Sequence, residues 1–136
     1  MKRFILFFIC LLTIFLSGRS ANAGFVEKDI ARIEACGEQF KGSQVTTCVA
    51  VIFRNCAKAF AERSSSPAGI KAAQILQNTA SGLSGGISKP AALSVLNRAR
   101  SIAAGLASQS DGKAQEIYSG LSTVFARAIN VIQRKA

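Results

Sequence analysis

The chain has 136 residues, with 17 basic residues, seven acidic residues and no histidine. This length predicts one domain with a modest core, and the net charge of +10 points to an anionic partner or surface. The Ser-His-Asp and Cys-His arrangements of common hydrolases are excluded, because both need an imidazole base.

The N-terminal residues have the pattern of a secretory signal peptide. Lys2 and Arg3 precede an apolar run over residues 4–16, and the small residues Ala-Asn-Ala follow at 21–23. A membrane anchor is the alternative, but this run of 13 residues is shorter than the roughly 18 to 20 that a spanning helix needs. We therefore predict cleavage after Ala23.

Cleavage would leave residues 24–136 as a single helical domain and would remove Cys10 with residues 1–23. The removed segment holds three basic and no acidic residues, so 14 basic residues remain against seven acidic ones. Export leads to an oxidising compartment, where cysteines tend to pair. The short charged head and the Ala-x-Ala site favour a bacterial signal, so we predict a periplasmic or secreted protein, with a eukaryotic secreted chain as the alternative.

Proline and glycine divide the remaining chain into five segments, and the apolar residues of each recur at helical spacing. The first segment has an apolar face made of Val26, Ile30, Ile33 and Phe40. After a break at residues 41–43, the second has an apolar face made of Val45, Cys48, Val49, Ile52, Cys56, Ala59 and Phe60.

Serine and proline mark the start of the third segment, since Ser66 can cap a helix whose first residue is Pro67. We expect that helix to end near Leu83. The fourth segment has Pro90 near its start, and its apolar face is made of Val95, Leu96, Ala99, Ile102, Ala103 and Leu106.

The fifth segment follows Asp111, a predicted helix cap, and has the clearest apolar stripe. This stripe comprises Ile117, Leu121, Val124, Ala128 and Ile132, with Phe125 and Ile129 beside it. The opposite face carries Thr123, Arg127, Asn130 and Arg134. One polar, solvent-exposed face and one apolar face are typical of a helix that packs on a core. The fold class is therefore all-α, a compact bundle of four to five short helices.

The three cysteines of the predicted mature chain allow one disulfide. Cys48 and Cys56 lie eight residues apart on one helix, about 12 Å along its axis, whereas bridged Cα atoms lie within about 7 Å. Cys36 must therefore be one partner. In a hairpin centred on Gly42, Cys36 and Cys48 lie level, so we predict that they form the bridge and that Cys56 is a buried free thiol acting as a small apolar residue. An intermolecular bridge through Cys56 is the alternative.

No cofactor or metal is expected, because three cysteines without histidine do not supply the ligands of a zinc site. Nucleic acid is not expected either, since the basic residues are spread over all five segments. Charged residues on the outer helix faces form the predicted partner-binding surface: Glu27, Glu34, Glu38, Arg54, Lys58, Arg127 and Arg134.

The pattern favours a small exported helical protein that is not an enzyme. We expect it to bind a protein partner in the envelope or outside the cell, as an accessory, inhibitor, immunity or secretion-associated factor. One alternative is a cell-wall hydrolase using a helix 1 glutamate, which would need burial against apolar side chains to act as an acid. The second alternative is a cationic factor that binds an anionic membrane or envelope polymer.

Overall fold

The computed structural model describes the chain from Ala21 to Ala136, and its side chains from Val26 onward. This part of the chain forms five helices and no strand, which confirms the all-α prediction. The helices are α1 (Ala21–Gln39), α2 (Ser43–Arg63), α3 (Pro67–Leu83), α4 (Lys89–Ser108) and α5 (Gly112–Lys135).

The predicted signal peptide falls mainly outside the described residues. Residues 1–20, which include Cys10, are not described, while residues 21–23 form the first turn of α1. Cleavage after Ala23 would therefore shorten α1 by three residues.

The first two helices form a hairpin that turns at Gly42. This glycine has a φ of 64°, a left-handed conformation that glycine adopts without a Cβ clash. Its N–H donates to the carbonyl of Lys135 at 3.2 Å, which ties the turn to the end of α5. Cys36 and Cys48 form a disulfide with a Cα–Cα distance of 5.8 Å, so the predicted bridge is confirmed.

Both predicted helix caps occupy N-cap positions, but only one makes a side-chain capping bond. The Ser66 hydroxyl accepts a hydrogen bond from the Gly69 N–H at 3.1 Å, and α3 begins at Pro67 as predicted. Asp111 occupies the N-cap position of α5, but its side chain makes no capping bond. The predicted cap position is therefore confirmed, although the side chain leaves the first N–H groups of the helix without a capping bond.

Helix α5 is the centre of the bundle and contacts each of the other four helices. All seven apolar residues of its predicted stripe are buried, and the four residues assigned to the opposite face are exposed or, for Arg127 and Arg134, about half exposed. At the core, the Phe53 and Phe125 rings meet edge to face with centroids 5.3 Å apart. This geometry is favoured by the aromatic quadrupole.

Two residues depart from the predicted apolar faces. Phe53 was not among those assigned to α2, yet it is fully buried and is one of the largest core side chains. Ile102 was assigned to the apolar face of α4, but 46% of its surface is exposed. The buried face of α4 comprises the predicted Leu96, Ala99 and Ala103 together with Ala92 and Ala107. Because alanine is small, α4 and α5 can approach closely along this face.

Candidate functional site

A groove of about 620 Å³ lies between α2 and α3. Small side chains contribute to its lining, among them Ala57 and Ala61 from α2 and Ala73 from α3. The same lining includes Ile70, which is 49% exposed and is one of the few large apolar side chains on the described surface. The groove therefore offers an open apolar contact between two rigid helices.

Two cations of α2 line this groove, and both belong to the predicted partner-binding surface. Arg54 and Lys58 are four residues apart, so they lie on one face of the helix. Arg54 Nη2 donates to Ser84 Oγ at 2.5 Å, and Ser84 Oγ in turn donates to the Ala80 carbonyl at 2.8 Å. This short chain of bonds holds the guanidinium at the C-terminal end of α3.

The remaining polar lining consists of four carboxamides and contains no acidic side chain. They are Asn55 from α2 and Gln74, Gln77 and Asn78 from α3. Each carboxamide has both a donor and an acceptor, so the groove can bond either half of a peptide group.

The charge around the groove is strongly one-sided. Residues 43–108, which span α2 to α4, contain seven basic residues and a single acidic one, Glu62. All seven basic side chains are exposed. A ligand that lies along α2 and α3 therefore meets a cationic surface.

The predicted surface residues of α1 and α5 are arranged differently, because three of them bind one another. Glu34 accepts from Arg127 Nη1 at 3.0 Å and from Arg134 Nη2 at 3.3 Å. Arg134 Nε also donates to Asn130 Oδ1 at 2.8 Å. These contacts connect α1 to α5 and leave Arg54 and Lys58 as the predicted residues that line a groove.

The hydrolase alternative requires a glutamate pressed against apolar side chains. Glu27 and Glu38 are exposed, and both carboxylate oxygens of Glu34 are bonded to arginine. None of the three has the environment that would adapt a glutamate to acid catalysis.

Asp29 is a buried acidic residue that the sequence reasoning missed. Its side chain is only 4% exposed, and its Oδ2 accepts a hydrogen bond from Cys56 Sγ at 2.9 Å. Arg32 Nη1 lies 3.5 Å from the other carboxylate oxygen, Oδ1. Cys56 is free and buried, as predicted, but it serves as a hydrogen-bond donor and not only as an apolar residue.

Burial controls the protonation of this pair. Loss of hydration raises the pKa of the Asp29 carboxyl, while the Cys56 S–H and the nearby Arg32 and Lys28 oppose that shift. Loss of hydration also raises the pKa of the Cys56 thiol, and the adjacent Asp29 raises it further. Cys56 is therefore held as a thiol, the unreactive form of cysteine.

Comparison of the chain with protein-family models, curated proteins and solved structures gave no match. Within residues 21–136, no helix combines the length and the apolar character needed to cross a membrane. The same part of the chain contains no group of three or more histidine, cysteine, aspartate or glutamate side chains placed to hold a metal ion.

Proposed function

We propose that this chain is an exported binding protein whose α2–α3 groove holds an acidic segment of a partner protein. The observation that carries the proposal is the lining of that groove, which combines Arg54 and Lys58 with four carboxamides and no acidic side chain. The partner would be a protein of the envelope or the cell exterior, which this chain serves as an accessory, inhibitor, immunity or secretion-associated factor.

A polypeptide fits the mixed chemistry of the groove better than a lipid or polysaccharide surface does. Its carboxylates would pair with Arg54 and Lys58, its main-chain groups with the carboxamides, and an apolar side chain with Ile70. The cations are already held on a rigid helix, so little side-chain order has to be gained at Arg54 when the ligand binds.

Export is supported by two features outside the groove. The N-terminal sequence has the charge, apolar run and small residues of a signal peptide. The Cys36–Cys48 bond is of a kind that persists in oxidising compartments.

A peptide titration tests the groove directly. We would measure fluorescence anisotropy of a short labelled peptide rich in aspartate and glutamate, with the matching asparagine and glutamine peptide as a control. The double variant Arg54→Gln/Lys58→Gln should bind the acidic peptide about tenfold more weakly, the effect of losing about 1.4 kcal/mol over two ion pairs.

The matched control is Arg98→Gln/Arg100→Gln, which removes the same charge from two exposed positions of α4 that do not line the groove. It should bind the acidic peptide within about twofold of the wild type, apart from weak long-range attraction. Equal losses in the two double variants would show that net charge, and not the groove, attracts the peptide, and would overturn the proposal.

Cross-linking in the native envelope extends the test to the partner. A photoreactive residue at Gln77 lies in the groove, and one at Asn97 lies on an exposed part of α4 outside it. We expect the Gln77 probe alone to link to an acidic protein segment, and we expect the link to vanish with Arg54→Gln/Lys58→Gln.

The anionic-surface alternative is tested with phosphatidylglycerol vesicles and purified peptidoglycan. Three results together would favour that alternative over a protein partner. The protein would bind the vesicles or the peptidoglycan in a salt-sensitive way, both double variants would weaken that binding equally, and the Gln77 probe would form no cross-link.

A further inference from the structure

The α1–α2 hairpin is closed at two levels. The first level is the Cys36–Cys48 disulfide, whose cysteines lie at equal sequence distances before and after Gly42. The second is the Asp29–Cys56 pair, which joins the same two helices about 11 Å further from the hairpin loop. One closure is covalent and the other is a buried hydrogen bond. Both connect the same two helices.

The free thiol in this hairpin has a chemical route to the wrong disulfide. A Cys56 thiolate can attack Sγ of Cys36, forming a Cys36–Cys56 bond and releasing Cys48 as a thiolate that then takes up a proton. No external oxidant or reductant is needed, because the number of disulfides does not change. The two loops differ so little in length that chain entropy does not strongly oppose the rearrangement.

The folded hairpin blocks this exchange by geometry. Cys48 and Cys56 are about 12 Å apart along α2, so Cys56 cannot reach Cys36 while the helix stands and Cys36 lies beside Cys48. Exchange therefore requires α2 to unwind between Cys48 and Cys56, and that part of α2 must first detach from α1. The Asp29–Cys56 bond lies in that part of the hairpin, and the charged groups facing it are Lys28 and Arg32.

We infer that Asp29 is a positioning residue that keeps Cys56 buried and out of thiol–disulfide exchange, and so preserves the Cys36–Cys48 bond. Its carboxylate accepts from the thiol at 2.9 Å, which fixes Sγ between the two helices. Without it, the buried S–H would lose its acceptor, and the part of α2 around Cys56 would detach from α1 and unwind more often. This role is independent of the α2–α3 groove and holds whatever the groove binds.

Thiol alkylation and peptide mapping test the inference. Folded wild type and Asp29→Ala would be incubated with an alkylating reagent at about pH 8.5, where an exposed thiol is half ionised. The variant should be alkylated at Cys56 about tenfold faster, the factor expected for losing one buried hydrogen bond to a charged group. Without the reagent, mapping of the unreduced variant should reveal a peptide linked through Cys36 and Cys56.

Two further variants separate this role from general stability. Leu96→Ala removes a fully buried side chain of α4 and serves as a destabilised control. Urea would be added to the more stable of the two variants until Leu96→Ala and Asp29→Ala have equal free energies of unfolding. Under those conditions Leu96→Ala should be alkylated more slowly than Asp29→Ala and should keep the Cys36–Cys48 bond. Asp29→Asn retains an acceptor for the thiol, so it should fall between wild type and Asp29→Ala.

Equal alkylation rates in Asp29→Ala and Leu96→Ala at matched stability would overturn the inference, since Asp29 would then act only through global stability. Persistence of the Cys36–Cys48 bond alone in Asp29→Ala, after Cys56 has become reactive, would overturn it as well.

Discussion

Raising the pH should destabilise the folded chain through Cys56. Burial and Asp29 raise the pKa of this thiol in the fold, so it keeps its proton in mildly alkaline solution. In the unfolded chain the thiol ionises near pH 8.5, so unfolding releases a proton above that pH. The stability contributed by the protonated thiol is therefore complete below about pH 8.5 and is lost as the pH rises. Between about pH 7 and about pH 9.5, the free energy of unfolding should fall by about 1.4 kcal/mol from this group.

Urea unfolding followed by circular dichroism at both pH values measures this loss. Cys56→Ser is the matched control, because its hydroxyl can still donate to Asp29 and does not ionise in this range. Other alkaline groups act alike in both chains, so the difference between their pH dependences isolates the thiol. Acidified samples mapped without reduction should verify that the Cys36–Cys48 bond stayed intact. The same loss in wild type and Cys56→Ser would refute the assignment of a protonated buried thiol.

Two further predictions concern contacts of α1 and α4. Gly37→Ala should lower the free energy of unfolding by about 1 to 3 kcal/mol, because the new Cβ would lie 2.9 Å from Val131 Cγ1 on α5. Gly105→Ala should raise the free energy of unfolding by about 0.5 to 1 kcal/mol, because no neighbouring atom lies within 4 Å of the new Cβ and alanine favours the helix. Thermal unfolding of both variants checks this contrast, and equal effects would contradict it. Glu34→Gln should cost less than about 1 kcal/mol, because its two ion pairs with arginines of α5 are partly exposed, and the cost should shrink at high salt. A salt-independent loss in urea unfolding would contradict that reading.

The sequence holds a signal for the buried Asp29–Cys56 pair as well as for the hairpin and its disulfide. Placing the turn at Gly42 paired Cys36 with Cys48 correctly. The same rule sets Cys56 level with residues 28 and 29, and Asp29 interrupts the apolar stripe between Val26 and Ile33 at helical spacing. An acidic residue at a core position opposite a cysteine was thus a readable signal for the buried pair. Its hydrogen-bond geometry still required the structure, because a helical period fixes a face but not a side-chain rotamer.

Other features depended on how helices pack. Helix α2 packs against both α1 and α3, so it buries a wider face than a single apolar stripe predicts. For this reason Phe53 is buried beside Ile52, although the helical period assigned only Ile52 to the core. The groove could not be predicted, since it depends on which small residues of α2 and α3 meet. The sequence identified Arg54 and Lys58 as a basic pair on an outer face of α2. It did not indicate that they line a groove together with Gln74 and Gln77 of α3.

The distribution of charge along the chain bears on which surface is used. Four of the seven acidic residues lie on α1, where Glu34 binds two arginines of α5 and Asp29 lies beside Arg32. Residues 43–108 have one acidic residue for seven basic ones, which leaves this segment with a net charge of +6 (7 − 1). Such concentration of like charge opposes folding by self-repulsion. An acidic segment lying in the α2–α3 groove would form ion pairs with these cations and would reduce their mutual repulsion. The same acidic ligand would therefore bind the groove and stabilise the bundle.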